Sequence, residues 1–214
     1  MKYLDLEKWP RRDLFFFFRG MDYPHYNVCA EVDVTNLHGY LKKNNLSLFK
    51  TILFSVSKTA NEIQEFRLRI RGERVVVHDL VHPSFTVLNK DNVFGFCEAR
   101  YTDDIRLFLE RAEEGIRAAR RNPTLTDEPG RDDYLYISSL PWIRFTSISH
   151  PIHMHPTDSV PRITWGKHEA VDGKVSLPLS VQVHHALADG YHVGRFFNLL
   201  QELIDQPGKM FGPE

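Results

Sequence analysis

The sequence predicts an α+β fold, a largely antiparallel or mixed β-sheet with helices packed against it. Three observations predict this class. Helix-period and strand-period segments are both present. They are mixed along the chain without the regular alternation of a βαβ protein. Asp172-Gly173 separates two strand-like runs, a strong signal for a tight hairpin. The 214 residues suit a single domain, 1–214, with a core large enough to need neither disulfides nor metal.

Each element has its own reason. Phe15-Phe16-Phe17-Phe18, closed by Arg12-Asp13 and Arg19-Gly20, reads as a buried aromatic cluster or a pocket wall and is too short to cross a bilayer. Asn27 to Val34 alternates as a strand, with Val28, Ala30, Val32 and Val34 on one side. Ser47 to Ile63 carries Leu48, Ile52, Val56, Ala60 and Ile63 at helical spacing. Val75–Val77, Ser84–Leu88 and Val93–Phe96 are short and β-rich. Asp103 to Arg121 is a second helix, with acids at its start and arginines at its end, as the helix dipole favours. Pro123 to Arg131 reads as a surface loop. Trp142–Ile148 and Ile163–Trp165 read as strands, and the hairpin then joins Thr164–His168 to a strand beginning near Lys174.

Composition narrows the function classes. Hydrophobic residues make up 42%, and the net charge of −1 points to neither nucleic acid nor an anionic membrane. The N-terminus carries charge where a signal peptide needs an apolar run. Two cysteines, Cys29 and Cys97, form no CxxC and no disulfide framework, so the expected compartment is a reducing cytoplasm. No glycine-rich phosphate cradle is present.

The chemistry concentrates after Lys174. Val175, Leu177, Leu179, Val181 and Val183 share one strand face; Ser176, Pro178, Ser180 and Gln182 share the other. By alternation His185 continues the apolar face and His184 the polar one, which predicts that His185 enters the low-dielectric side. A neutral imidazole there is a suitable proton acceptor. Asp189 stands as an N-cap before a helix carrying Val193, Phe196, Phe197, Leu200 and Leu203. The plain alternative is a core histidine and a simple cap. A second alternative is a metal site drawing on His150, His153 and His155, which lie in a proline-flanked loop.

His184-His185-x-x-x-Asp189-Gly190 resembles the HHxxxDG signature of CoA-dependent acyltransferases, which include chloramphenicol acetyltransferases, dihydrolipoamide acyltransferase cores and peptide-synthetase condensation domains. The run from Leu177 to Phe196 narrows the resemblance to chloramphenicol acetyltransferases. Trp9-Pro10-Arg11, Val81 to Val87 and Ile137 to Trp142 resemble further segments of that family.

The resemblance implies a two-layer sandwich, acetyl-CoA as co-substrate, no metal, and transfer of acetyl to a small hydroxyl-bearing acceptor. The acceptor is chloramphenicol or another hydroxyl compound. A chain that kept the fold as a binding protein, or a dehydrogenase-complex core, is the alternative. His185 would be the general base. Ser138 would donate to the oxyanion, and Thr164 would hold a water beside it. Asp189 would pair with Arg11 to keep His185 aimed. Trp142 and His168 would line the coenzyme side. The acceptor pocket would draw on Phe17, Phe18, Asp22, Pro24, Phe94, Leu125, Tyr136, Ile148 and His150. Asp22 to Tyr26 departs from the mostly apolar stretch of relatives, and histidine at 168 stands where tyrosine is common. The family is homotrimeric, with active sites between subunits.

Overall fold

The computed structural model describes residues 1–212; positions 213 and 214, the end of the expected 1–214 domain, lie outside the described residues. Strand β1 (Lys2–Tyr3) and helix α1 (Arg12–Arg19) precede β2 (His25–Asp33). Helices α2 (Thr35–Lys43) and α3 (Leu48–Asn61) lead to β3 (Leu68–Arg71), β4 (Arg74–Val77), β5 (His82–Leu88) and β6 (Phe94–Glu98). Helix α4 (Ile105–Arg121) is followed by β7 (Tyr134–Leu140), β8 (Arg162–Gly166), β9 (Glu169–Val171) and β10 (Lys174–His184), then α5 (Gly190–Asp205) and α6 (Pro207–Phe211).

The main sheet runs β2-β10-β8-β7-β5-β6, with β9 paired to β10. It is mixed: β7 lies parallel to β5 and β8, and the other pairs are antiparallel. A small sheet, β1-β4-β3, stands apart. The α+β expectation therefore holds. Asp172 and Gly173 both take positive φ, 48° and 80°, which is the hairpin turn expected of that pair. The strand it joins to β10 is the short β9, because the preceding strand already ends at Gly166.

Helices α3, α4 and α5 cover the sheet through Leu53, Phe54, Phe108, Ile116, Phe196 and Leu200. Burying each such side chain contributes ~2 kcal/mol. Helix α3 also buries hydroxyls. Thr51, Ser55 and Ser57 donate to the carbonyls of Ser47, Thr51 and Leu53 at 2.9, 2.9 and 2.7 Å, so these three hydroxyls are satisfied within the helix. Ser47 and Asp104 cap α3 and α4 by accepting backbone N–H groups. Gly115 sits mid-helix because a Cβ there would lie 2.7 Å from Cys97 Sγ on β6.

The fully buried Arg69 on β3 joins the two sheets. It donates to the carbonyls of Asp132, Phe66 and Leu68 at 2.7, 3.0 and 2.6 Å, and to that of Tyr134. Burial pushes its pKa down to about 10. The bonds to Asp132 and Tyr134 fix the start of β7.

Three expectations are corrected. The four phenylalanines lie on the helix α1, so their directions diverge by roughly 100° per residue. Only Phe15 is buried, while Phe16 and Phe17 are exposed. Trp142–Ile148 is not a strand, and Trp142 is 63% exposed. The strand in this part of the chain is β7, eight residues earlier, and Leu140-Pro141 closes it. Leu203 is only half-buried, because the inward stripe of α5 passes through Leu200 and Ile204.

Candidate active site

Two groups of side chains stand at different places on the main sheet. The first surrounds the turn that leaves β10. The backbone N–H of His185 donates to the Pro24 carbonyl at 2.8 Å. Its ring stacks on Phe18, with centroids 3.7 Å apart and planes 5° from parallel. Tyr26 adds a second ring at 4.6 Å. No protein group bonds His185 Nδ1 among the described residues.

The turn is fixed from behind. Leu187 and Ala188 donate backbone N–H groups to the His184 carbonyl. Asp189 caps α5, accepting the Tyr191 N–H at 3.0 Å, and pairs with Arg11. Burial opposes charge on Asp189, but the Arg11 hydrogen bond and neighbouring positive charge outweigh it and hold the carboxyl below its ordinary range. The Asp189 N–H donates to His192 Nδ1 at 3.1 Å, and His192 Nε2 faces Glu65 at 3.4 Å. The Arg11–Asp189 pairing expected from the resemblance is thus present as geometry.

The assignment of the two histidines from strand alternation is corrected. His184 is the deeply buried one, 2% exposed, while His185 is half-buried. Strand β10 lies between β2 and β8 and is buried on both faces from Leu179 to His184, so alternation there does not separate dry from wet. Burial, reinforced by His25, pushes the pKa of His184 down to about 3. Its Nδ1 accepts the Ala186 N–H at 3.2 Å.

The second group lies on β7 and β8. Ser138 and Thr164 are register partners on these parallel strands, and Thr164 is also opposite Ser180 of β10. Two cavities of about 560 Å³ each share Ser138, Thr86 and Phe94 in their walls. Beyond those shared residues, one extends to Trp142, Lys50 and Arg120. The other extends to Leu125, Tyr136 and His150, with Asp127, Asp158 and Arg162. Thr86 Oγ1 lies 3.5 Å from Ser138 Oγ. Thr164 is 1% exposed and lies 3.1 Å from His150 Nε2. The Tyr136 hydroxyl is raised above its usual range, by burial first and by Asp127 second.

Within one chain these groups do not meet. His185 lies five residues beyond Ser180 along β10, and Ser138 lies two strands across from it. Strand geometry makes that roughly 19 Å, far beyond direct contact.

Of the expected pocket residues, Phe94, Leu125, Tyr136 and His150 come together around Ser138. Phe18 and Pro24 attend His185 instead. Asp22 and Pro24 line a separate cavity of about 300 Å³ with His25 and His184. Phe17 is exposed on α1, and the Ile148 carbonyl accepts from Asn27 at 2.9 Å. His168 is exposed beside His38, outside the Trp142 cavity. His150 lines one cavity, His155 another and His153 both, and among the described residues no three His, Cys, Asp or Glu side chains are placed to hold a metal. Ser84, Thr86, Asp127 and Arg162 were missed in the sequence. Ser84 and Thr86 carry a period-two signal, since Ser84 is in register with Tyr136 and Thr86 follows it on the same face. Asp127 carries no such signal, because it lies in a loop.

A mixed sheet covered by helices, an HHxxxDG turn ending strand β10 and a serine shared by two adjoining cavities define an acyltransferase. The chain belongs to the chloramphenicol acetyltransferase family, whose model matches residues 1–201. A chloramphenicol acetyltransferase from Klebsiella sp is 29% identical over 204 residues, covering 95% of this chain and 93% of that protein. One from Clostridium perfringens is 32% identical over 203 residues, covering 94% and 93%. A solved chloramphenicol acetyltransferase superposes with a TM-score of 0.82 at 25% identity, over 95% of this chain and 99% of that one. The cubic core of the pyruvate dehydrogenase multienzyme complex shares the fold, with a TM-score of 0.67 at 21% identity over 92% and 88%. Among the described residues no helix is long and apolar enough to cross a membrane.

Proposed function

We propose that this chain transfers acetyl from acetyl-CoA directly to a hydroxyl of chloramphenicol, as one domain working in a homotrimer. The observation that carries this reading is Ser138, the wall common to two adjoining cavities. The thioester enters from the Trp142 side, where Arg120 offers positive charge to coenzyme phosphates while Lys50 is paired with Glu113 of the same cavity. The acceptor enters from the Tyr136 side. Its hydroxyl oxygen attacks the thioester carbonyl while a histidine Nε2 removes its proton. Ser138 donates to the oxyanion that forms. Collapse expels the CoA thiolate, which takes the proton back from the imidazolium.

The histidine in that site is His185 of another copy. The roughly 19 Å between His185 and Ser138 in one chain supports this, because acid–base chemistry needs hydrogen-bond contact. The exposed Phe17, whose ring packs on the Phe18 that stacks against His185, supplies apolar surface for the neighbour. Arg11 and Asp189 keep His185 aimed. The free thiols Cys29 and Cys97 and the use of acetyl-CoA fit a cytoplasmic enzyme. A second reading, a more polar hydroxyl acceptor, is favoured by Asp127, His150 and the Asp158–Arg162 pair in the acceptor cavity.

The test is acetyl-CoA-dependent thiol release with chloramphenicol beside a panel of polar alcohols. Turnover with chloramphenicol supports the first reading. Turnover only with polar alcohols selects the second. No turnover with any acceptor leaves a binding protein and overturns both.

A further inference from the structure

The family resemblance gives His150 and Thr164 separate roles, one as a pocket wall and the other as a water holder. The structure joins them. Thr164 Oγ1 lies 3.1 Å from His150 Nε2, and this is the hydroxyl's protein partner. His150 is itself anchored, because its backbone N–H donates to Gln182 Oε1 at 3.0 Å. Gln182 lies on β10, two residues beyond the partner of Thr164, so the contact is held by the sheet rather than by the loop.

The direction of this bond decides what Thr164 can do. A threonine hydroxyl has one proton. If it donates to His150, nothing remains to donate to a reacting oxygen. If His150 donates from Nε2, the threonine accepts and its own proton stays available. We propose that His150 is a positioning residue, donating Nε2–H to Thr164 Oγ1 so that the Thr164 proton is turned toward the reacting carbonyl or the water on it. This rests on the acetyl-transfer reading above.

The surroundings are consistent with an uncharged ring. Burial, followed by Arg162, lowers the His150 pKa below its ordinary value. The other titratable groups on the same cavity are Asp127, Tyr136, His153 and Asp158, and Asp158 is paired with Arg162.

The arrangement predicts coupling rather than two independent losses. His150→Leu should lower kcat about tenfold, a fraction of the ~100-fold that follows loss of a direct oxyanion donor. The KM for acetyl-CoA should stay within about twofold, because the pair acts in the transition state. His150→Gln, which keeps an N–H donor, should recover most of the loss. In the Thr164→Ala background, His150→Leu should cost almost nothing more. Equal losses for Leu and Gln, or losses that multiply with Thr164→Ala, would overturn the proposal. The wild-type protein offers a check without substitution: nitrogen-15 histidine spectra should show His150 as the Nε2–H tautomer, and the Nδ1–H form would overturn it. A wild type that acetylates no acceptor fails the parent reading and this one with it. A wild type that turns over but shows no coupling fails this one alone.

Discussion

The His185 corner and the Ser138 rim are built on different principles. At the corner the turn that carries His185 is tied on several sides. A backbone bond to Pro24, a stacked Phe18, a capping Asp189 and its Arg11 partner hold one turn. At the rim, Ser138 has one long contact to Thr86 and opens onto two cavities. The base is aimed by its own chain, while the oxyanion side is left open for what binds there. A corner of this kind can stay fixed while the rim changes its acceptor. The polar groups around Tyr136 and His150 lie at the rim.

The largest test of that division is complementation. His185→Ala should reduce kcat by about 1,000-fold or more, and Ser138→Ala by ~100-fold. If the two belong to different chains in each site, co-refolding the two inactive proteins should restore part of the activity, because some interfaces then join an intact His185 to an intact Ser138. Mixtures no more active than their components would break the comparison. Asp189→Asn comes next. Asparagine still caps α5, so the helix should start where it does now. The ion pair with Arg11 is lost, at about 2 kcal/mol. Turnover should drop about 10- to 100-fold. Unchanged turnover would show that the cap alone aims His185.

The smallest effect concerns pH. His184 is pushed down to about 3 in the folded chain from an ordinary value of 6.5. Below pH 6.5 the unfolded chain takes up a proton there that the folded chain refuses. Stability is therefore full above 6.5 and falls toward pH 3, by up to ~1.4 kcal/mol per pH unit. His25 and His82 are lowered as well, also chiefly by burial, and act in the same direction. Thermal midpoints measured from pH 7 to pH 5 should fall, and His184→Gln should flatten the slope. A wild-type midpoint that does not change would contradict the burial assigned to His184.

Much of this was legible in the sequence, for local reasons. Helices α3 and α4 announce themselves by periodicity, and α4 also by the acids at its start and the arginines at its end. The hairpin follows from Asp172-Gly173, and the Arg11–Asp189 pair from two matched segments. What was not legible depends on tertiary cover. Alternation along β10 named two faces, but only the strands and helices around it decide that both are dry, so His184 and His185 exchanged depths. Helix α1 was hidden because four phenylalanines look like one apolar mass until a helix turns them apart. The joining of His150 to Thr164 was invisible because it depends on an anchor remote in sequence, Gln182, which accepts the His150 backbone N–H from thirty-two positions away.

The buried Arg69 bears on how the protein can change by mutation. Its guanidinium serves four backbone carbonyls with a planar fork of five N–H groups. Lysine has three protons on one point and cannot reach all four. No single substitution supplies an equivalent set of donors, and an apolar residue would strand the carbonyls of Asp132 and Tyr134 at the very start of β7. The strand bearing Ser138 is thus hinged on a position with no neighbouring solution. Loss of activity should therefore arise as readily from variation at this distant arginine as from variation in the cavities themselves.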